Sequence, residues 1–159
     1  MNKRTSLIFA LASAAALAAV VGTAGAVAPK KAATTATATG VVNVRAVLDS
    51  AHVRPHPAGA GAGAAGLFAA TLDGSILRYT FTFTKLSGPA VSAQIHIGGP
   101  KASGPIAQPL CVPCLAPETG VVPLYPQQLA DLKAGRLYVI LQTAADGDGE
   151  IRGQLAIVK

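Results

Sequence analysis

Residues 66–86 read GLFAATLDGSILRYTFTFTKL, and the second half alternates strictly. Leu77, Tyr79, Phe81 and Phe83 interleave with Arg78, Thr80, Thr82 and Thr84. Period two means a strand with one buried and one wet face. Asp73-Gly74 separates this run from an earlier apolar one and predicts a type I′ hairpin turn. The run VVNVRAVL over 41–48 is β-branched and strand-like. Further strands are expected over 91–98, 105–109, 119–124, 136–143 and 150–158. One helix is expected over 126–134: Pro126 suits its first position, Gly135 lies just past its end, and Leu129 and Leu132 give it an apolar stripe. Many short strands with one helix predict an all-β fold, an antiparallel β-sandwich of Greek-key or immunoglobulin-like type.

The pattern breaks down before residue 41. Lys3 and Arg4 precede an apolar run from Leu7 to Val21, followed by small residues ending in Ala24-Gly25-Ala26. This predicts a signal peptide over 1–26. The run has about 15 residues, short of the roughly 20 that span a bilayer, so no membrane span is expected after cleavage. Residues 27–40 hold no large apolar side chain and predict a disordered linker. The folded domain is expected over 41–159, secreted or periplasmic.

Cleavage changes the charge. The chain of 159 residues carries a formal +6, which becomes +4 because Lys3 and Arg4 leave and no acid does. The basic residues of the folded domain are scattered, none is interleaved with aromatics, and there is no Trp. That argues against a nucleic-acid partner. Export also favours oxidation, so Cys111 and Cys114 predict a disulfide. Pro113 and Pro117 bracket Cys114 and oppose the helix that redox dithiols use, so a loop staple is expected.

The stretch AQIHIGG over 93–99 holds His96. In strand register Ser92, Gln94 and His96 share one face, and Val91, Ala93, Ile95 and Ile97 share the other. A metal there would need further converging ligands, and His52 and His56 are the other histidines available. DGDGE over 146–150 resembles the start of a calcium loop but lacks its later bidentate acid, so a turn is expected. Glu150 and Arg152, two apart, are expected to share a strand face and to pair. AGAGAGAAG reads as a low-complexity insertion without chemistry of its own.

Several of these pieces fall into one order: HVRP, a Gly-rich stretch, the hairpin, QIHIGGPKASGPI, CVPC, YVILQT and GEIRGQL. In that order the chain, over about 40–159, resembles the CHRD domain found in chordin and in exported microbial proteins. GEIRGQ is the most specific match. Two departures stand out: Gln94 replaces the first His of a His-Ile-His motif, and Gln142 replaces the His of a His-Thr pair. Were the full set present, three histidines could hold a metal. Here Gln94 and Gln142 are expected on adjacent or nearby strands, on one face with His96, in a hydrogen-bonded network with Glu150 and Arg152.

The resemblance implies no established enzymatic activity, no catalytic residue and no cofactor. It points to a non-catalytic binding or structural module, with a protein or envelope component as partner. Two other functions remain open: a copper- or zinc-binding protein or enzyme using His96, His52 and His56, and a thiol–disulfide protein using Cys111 and Cys114.

Overall fold

The computed structural model describes residues 40–159. The signal peptide expected over 1–26 and nearly all of the expected linker lie outside these residues. The strands are β1 (Val42–Asp49), β2 (Ala65–Asp73), β3 (Ile76–Thr84), β4 (Ala90–Ile97) and β5 (Ile106–Cys111). After β6 (Glu118–Pro123) and the helix α1 (Pro126–Lys133) come β7 (Leu137–Thr143), β8 (Ile151–Gln154) and β9 (Ala156–Val158). A short 3₁₀ turn, Ser50–His52, follows β1. Among the described residues no helix is long and apolar enough to cross a membrane.

All strands join one antiparallel sheet in the order β5-β4-β7-β8-β1-β2-β3-β6, with β9 also on β1. The sheet curls until its ends approach, giving a nearly closed, barrel-like sandwich. The Tyr79 hydroxyl on β3 donates to the Leu110 carbonyl on β5 at 2.8 Å, across the gap between the two ends. The core takes alternate residues, as the hairpin pattern requires: Phe68, Leu77 and Phe81 are wholly buried, as are Ile95, Leu137, Val139, Leu141 and Ile151. On β7 the other face is buried too, because Tyr138 and Ile140 pack with Val53 from the loop after β1. That loop covers the sheet from outside.

The hairpin turn sits one residue later than expected. Asp73 pairs with Ile76, so the two-residue loop is Gly74-Ser75. Gly74 has φ 60° and Ser75 is not left-handed, whereas a type I′ turn needs both central residues positive. Gly at the first central position suits a type II′ turn instead. The expected strand over 150–158 is split at Leu155, whose N–H turns to the Leu137 carbonyl at 2.8 Å. Its register with β1 is nevertheless unbroken. Asp49 pairs with Arg152 and Arg45 with Ala156, a step of four on each side. In β4 a register shift between Ala90 and Ser92 puts Val91 outside, 46% exposed, not in the core row where alternation placed it. The helix buries Leu132 but also Gln128, whose amide donates to the Ala107 carbonyl at 3.0 Å and ties α1 to β5.

Candidate functional site

The outer face of β4, β7 and β8 gathers most of the polar residues singled out above. Ser92 pairs with Gln142, Gln94 with Ile140 and His96 with Tyr138 across β4 and β7. Arg152 stands opposite Ile140, and Gln154 opposite Tyr138, on the other side of β7. Ser92, Gln94, His96 and Gln142 therefore share one face of two adjacent strands. The Ser92 hydroxyl donates to the Gln142 amide oxygen.

His96 is held at both ring nitrogens. Nδ1 lies 2.8 Å from the Gly104 carbonyl and Nε2 lies 2.9 Å from Gln94 Oε1. A carbonyl only accepts, so Nδ1 carries a proton. In the neutral ring Nε2 must then accept, which Gln94 satisfies by turning its amide N–H toward it. In the protonated ring Nε2 donates to Oε1. A glutamine serves both states by one flip of its amide. The imidazole stacks on Tyr138 with 5.2 Å between ring centres, and the Arg152 guanidinium lies 3.6 Å from the centre of the Tyr138 ring.

This row grips a single loop, residues 98–104. Arg152 donates to the carbonyls of Gly99 (2.6 Å) and Ala102 (2.9 Å). Gln154 donates to Gly98 at 2.8 Å and to Gly135 at 2.7 Å. The Gly104 N–H donates to the Tyr138 hydroxyl at 3.2 Å. The two sequence stretches that carry the resemblance, IHIGGPKASGP and GEIRGQ, thus meet in space.

Glu150 belongs elsewhere, and the expected Glu150–Arg152 pair is corrected. Among the described residues the ion pairs join Asp49 to His52 and Asp131 to Arg136. β8 begins only at Ile151, after a turn at Gly149 with φ 123°, so strand alternation does not reach Glu150. Its side chain is completely buried. Oε1 accepts the N–H of Gly61 (2.9 Å) and of Ser87 (2.7 Å), and Oε2 accepts the Ser87 hydroxyl at 2.7 Å. Burial alone would raise its pKa. The donors from Ser87, Gly61 and Thr143 outweigh burial and hold the carboxyl below its ordinary value.

The Gly-rich loop therefore has a task. Gly61 delivers its N–H to Glu150, and Gly59 delivers its own to Asp146 at 3.1 Å. A Cβ at Gly61 would overlap the Lys85 carbonyl oxygen, so the approach needs glycine. In the DGDGE turn Asp146 accepts from Gly59 and caps the bend through Gly149 N–H to its carbonyl at 3.0 Å.

The remaining candidates lie apart. His52 faces Asp49, Nδ1 to Oδ1 2.6 Å, on the surface, and His56 lies 3.1 Å from Arg54 through Nε2. Cys111 and Cys114 form a disulfide in the loop that carries the chain from β5, at one end of the sheet, to β6 at the other. Cys114 is buried in the core, while Val112 and Leu115 are exposed. A ring this small contributes about 2 kcal/mol by loop entropy. Tyr138, Ser87 and Gln154 escaped the sequence reading. An aromatic opposite a lone histidine and the last residue of GEIRGQ were the signals present.

A curled antiparallel sandwich whose buried polar side chains hold its own loops defines a compact all-β module. Residues 44–155 match the CHRD domain, and the chain belongs to that family. CHRD domains are generally non-catalytic and typically extracellular. No curated protein and no solved structure matches the chain.

Proposed function

We propose that this chain is an exported CHRD module, periplasmic or extracellular, that acts by binding or as structure and not by catalysis. One observation carries the reading. The polar groups of the signature are already engaged by the chain's own backbone and side chains: His96 by the Gly104 carbonyl and the Gln94 amide, Arg152 by two carbonyls and the Tyr138 ring, Glu150 by two backbone N–H groups and the Ser87 hydroxyl. Groups held this way fix loops and are not free to move protons for a substrate. Gln94, His96, Gln142, Glu150 and Arg152 are on this reading structural. The partner is a protein or another envelope component.

The rival with a specific observation behind it is a metal site. A ring whose Nδ1–H meets a backbone carbonyl is oriented as metal-ligating histidines usually are. Yet Gln94 occupies Nε2, and an amide is a poor ligand for copper or zinc. Protein purified without added metal is expected to contain no stoichiometric copper or zinc by elemental analysis. His96→Ala is expected to lower stability by about 1–2 kcal/mol, through the lost bonds to Gly104 and Gln94. Tight stoichiometric metal that disappears in His96→Ala would overturn this reading. Export has its own check: mass spectrometry of native protein is expected to find a mature N-terminus near Val27, and retention of Met1 in a membrane fraction would contradict it.

A further inference from the structure

Two guanidinium groups near the outer face have no carboxylate partner among the described residues. Arg152 is 1% exposed, yet its guanidinium meets two carbonyls and the Tyr138 ring. Arg54, half-buried, donates through Nη1 to the carbonyls of Ala51 (2.7 Å) and Val53 (2.6 Å), and its other nitrogens have no partner among the described residues. Burial holds the Arg152 pKa below its ordinary value, and the charge of Arg54 adds to that, while Tyr138 opposes it. The group stays charged nonetheless. Buried positive charge without a counter-ion is costly and favours any anion that can approach.

Arg54, unlike Arg152, lines an opening through which an anion can approach. A cavity of about 250 Å³ opens between the loop after β1, the loop 98–104 and the outer face of β4 and β7. Arg54, Ser103, Tyr138 and Gln142 line it, with His96 and Asp148. Its hydrogen-bonding capacity is unbalanced toward donors. The Tyr138 oxygen accepts from Gly104, so its own O–H is left without an acceptor among the described residues. Gln142 uses its carbonyl oxygen on Ser92, which leaves its amide N–H groups similarly free. The Ser103 hydroxyl is turned to the Arg54 carbonyl at 2.9 Å. Among the described residues Asp148 is the one carboxylate on the lining, and it is exposed.

We propose that this cavity binds a small oxyanion, with the Arg54 guanidinium, the Tyr138 hydroxyl and the Gln142 amide as its donors. Arg54 supplies charge-assisted bonds, and the two neutral donors fix orientation. Asp148 at the edge weakens binding and disfavours multiply charged ions. Carboxylate and phosphoryl groups share this chemistry. The proposal goes beyond the module reading by giving the Gln142 amide N–H a ligand beside the structural bond of its oxygen to Ser92, and that reading otherwise stands whether or not an anion binds.

The test titrates the full chain with sodium acetate and, separately, with inorganic phosphate at constant ionic strength, followed by calorimetry and by the side-chain NMR signals of Arg54 and Gln142. Saturable binding with shifts at those two groups is expected, and the tighter probe identifies the group that a natural ligand carries. Arg54→Gln and Tyr138→Phe are each expected to weaken binding about tenfold or more, and Asp148→Asn to tighten it about threefold. Tyr138→Phe keeps the ring under Arg152, and a thermal melt confirms that each variant is folded. The proposal is overturned if neither probe saturates. It is also overturned if affinity is unchanged in Arg54→Gln and Asp148→Asn, which would mean an adventitious ion only.

Discussion

Glu150→Ala is expected to cost the domain about 3–5 kcal/mol, read as a shift in the denaturant midpoint. The substitution removes the acceptor of the Gly61 and Ser87 N–H groups and of the Ser87 hydroxyl, all in part-buried bonds, and it empties the space of a side chain with no exposed surface. Glu150→Gln keeps the shape and one acceptor oxygen, and the Ser87 hydroxyl can reverse to accept from the new amide. About 1–2 kcal/mol is expected for it. The depressed pKa fixes the pH dependence. A carboxyl whose folded pKa lies below its unfolded value stabilises fully above the unfolded value, about 4.3, and loses that contribution as pH falls through the lower folded value. The wild-type chain should therefore lose stability on acidification below about pH 4 more steeply than Glu150→Gln, and the gap between them should close. Parallel pH profiles would show that Glu150 is not the group responsible.

Gly153→Ala is the second large effect. Gly153 stands in β8 opposite Val139, and a Cβ there would overlap the Val47 carbonyl oxygen and press on Leu48. The obstacle is backbone of β1 and cannot rotate aside, so β8 must move away from β1. That displacement would drag Arg152 off the loop 98–104. A loss of about 3 kcal/mol or more is expected, at the upper end of overpacking effects, with a melting temperature lower by on the order of 10 °C. A variant within about 1 kcal/mol of wild type would mean that the β1–β8 approach is looser than it looks.

These two residues also mark where the sequence stops being legible. The alternation of Leu77, Tyr79 and Phe81 gave the hairpin strands directly, since sheet sterics act on neighbours. Pro126 and Gly135 bounded the helix for the same local reason. The face shared by His96 and Gln142 followed from counting along strands. Non-local events were hidden. The register shift that exposes Val91 depends on β7, and the break at Leu155 depends on the Leu137 carbonyl. Pairing Glu150 with Arg152 requires alternation to run one residue beyond the N-terminal end of β8. The Gly-rich loop looked empty because its chemistry is backbone N–H, which no side-chain pattern displays.

The central claim is that the buried polar side chains of the CHRD signature exist to hold the domain's own loops. Amide hydrogen exchange at Gly61 and Ser87 tests it most directly, in the wild-type chain and in Glu150→Ala, with Gly104 as an internal reference held by Tyr138. The account predicts slow exchange at Gly61 and Ser87 in the wild type, acceleration of both by about tenfold or more in the variant, and no change at Gly104. Exchange at Gly61 and Ser87 that is already fast in the wild type, or equal in the two proteins, would contradict it.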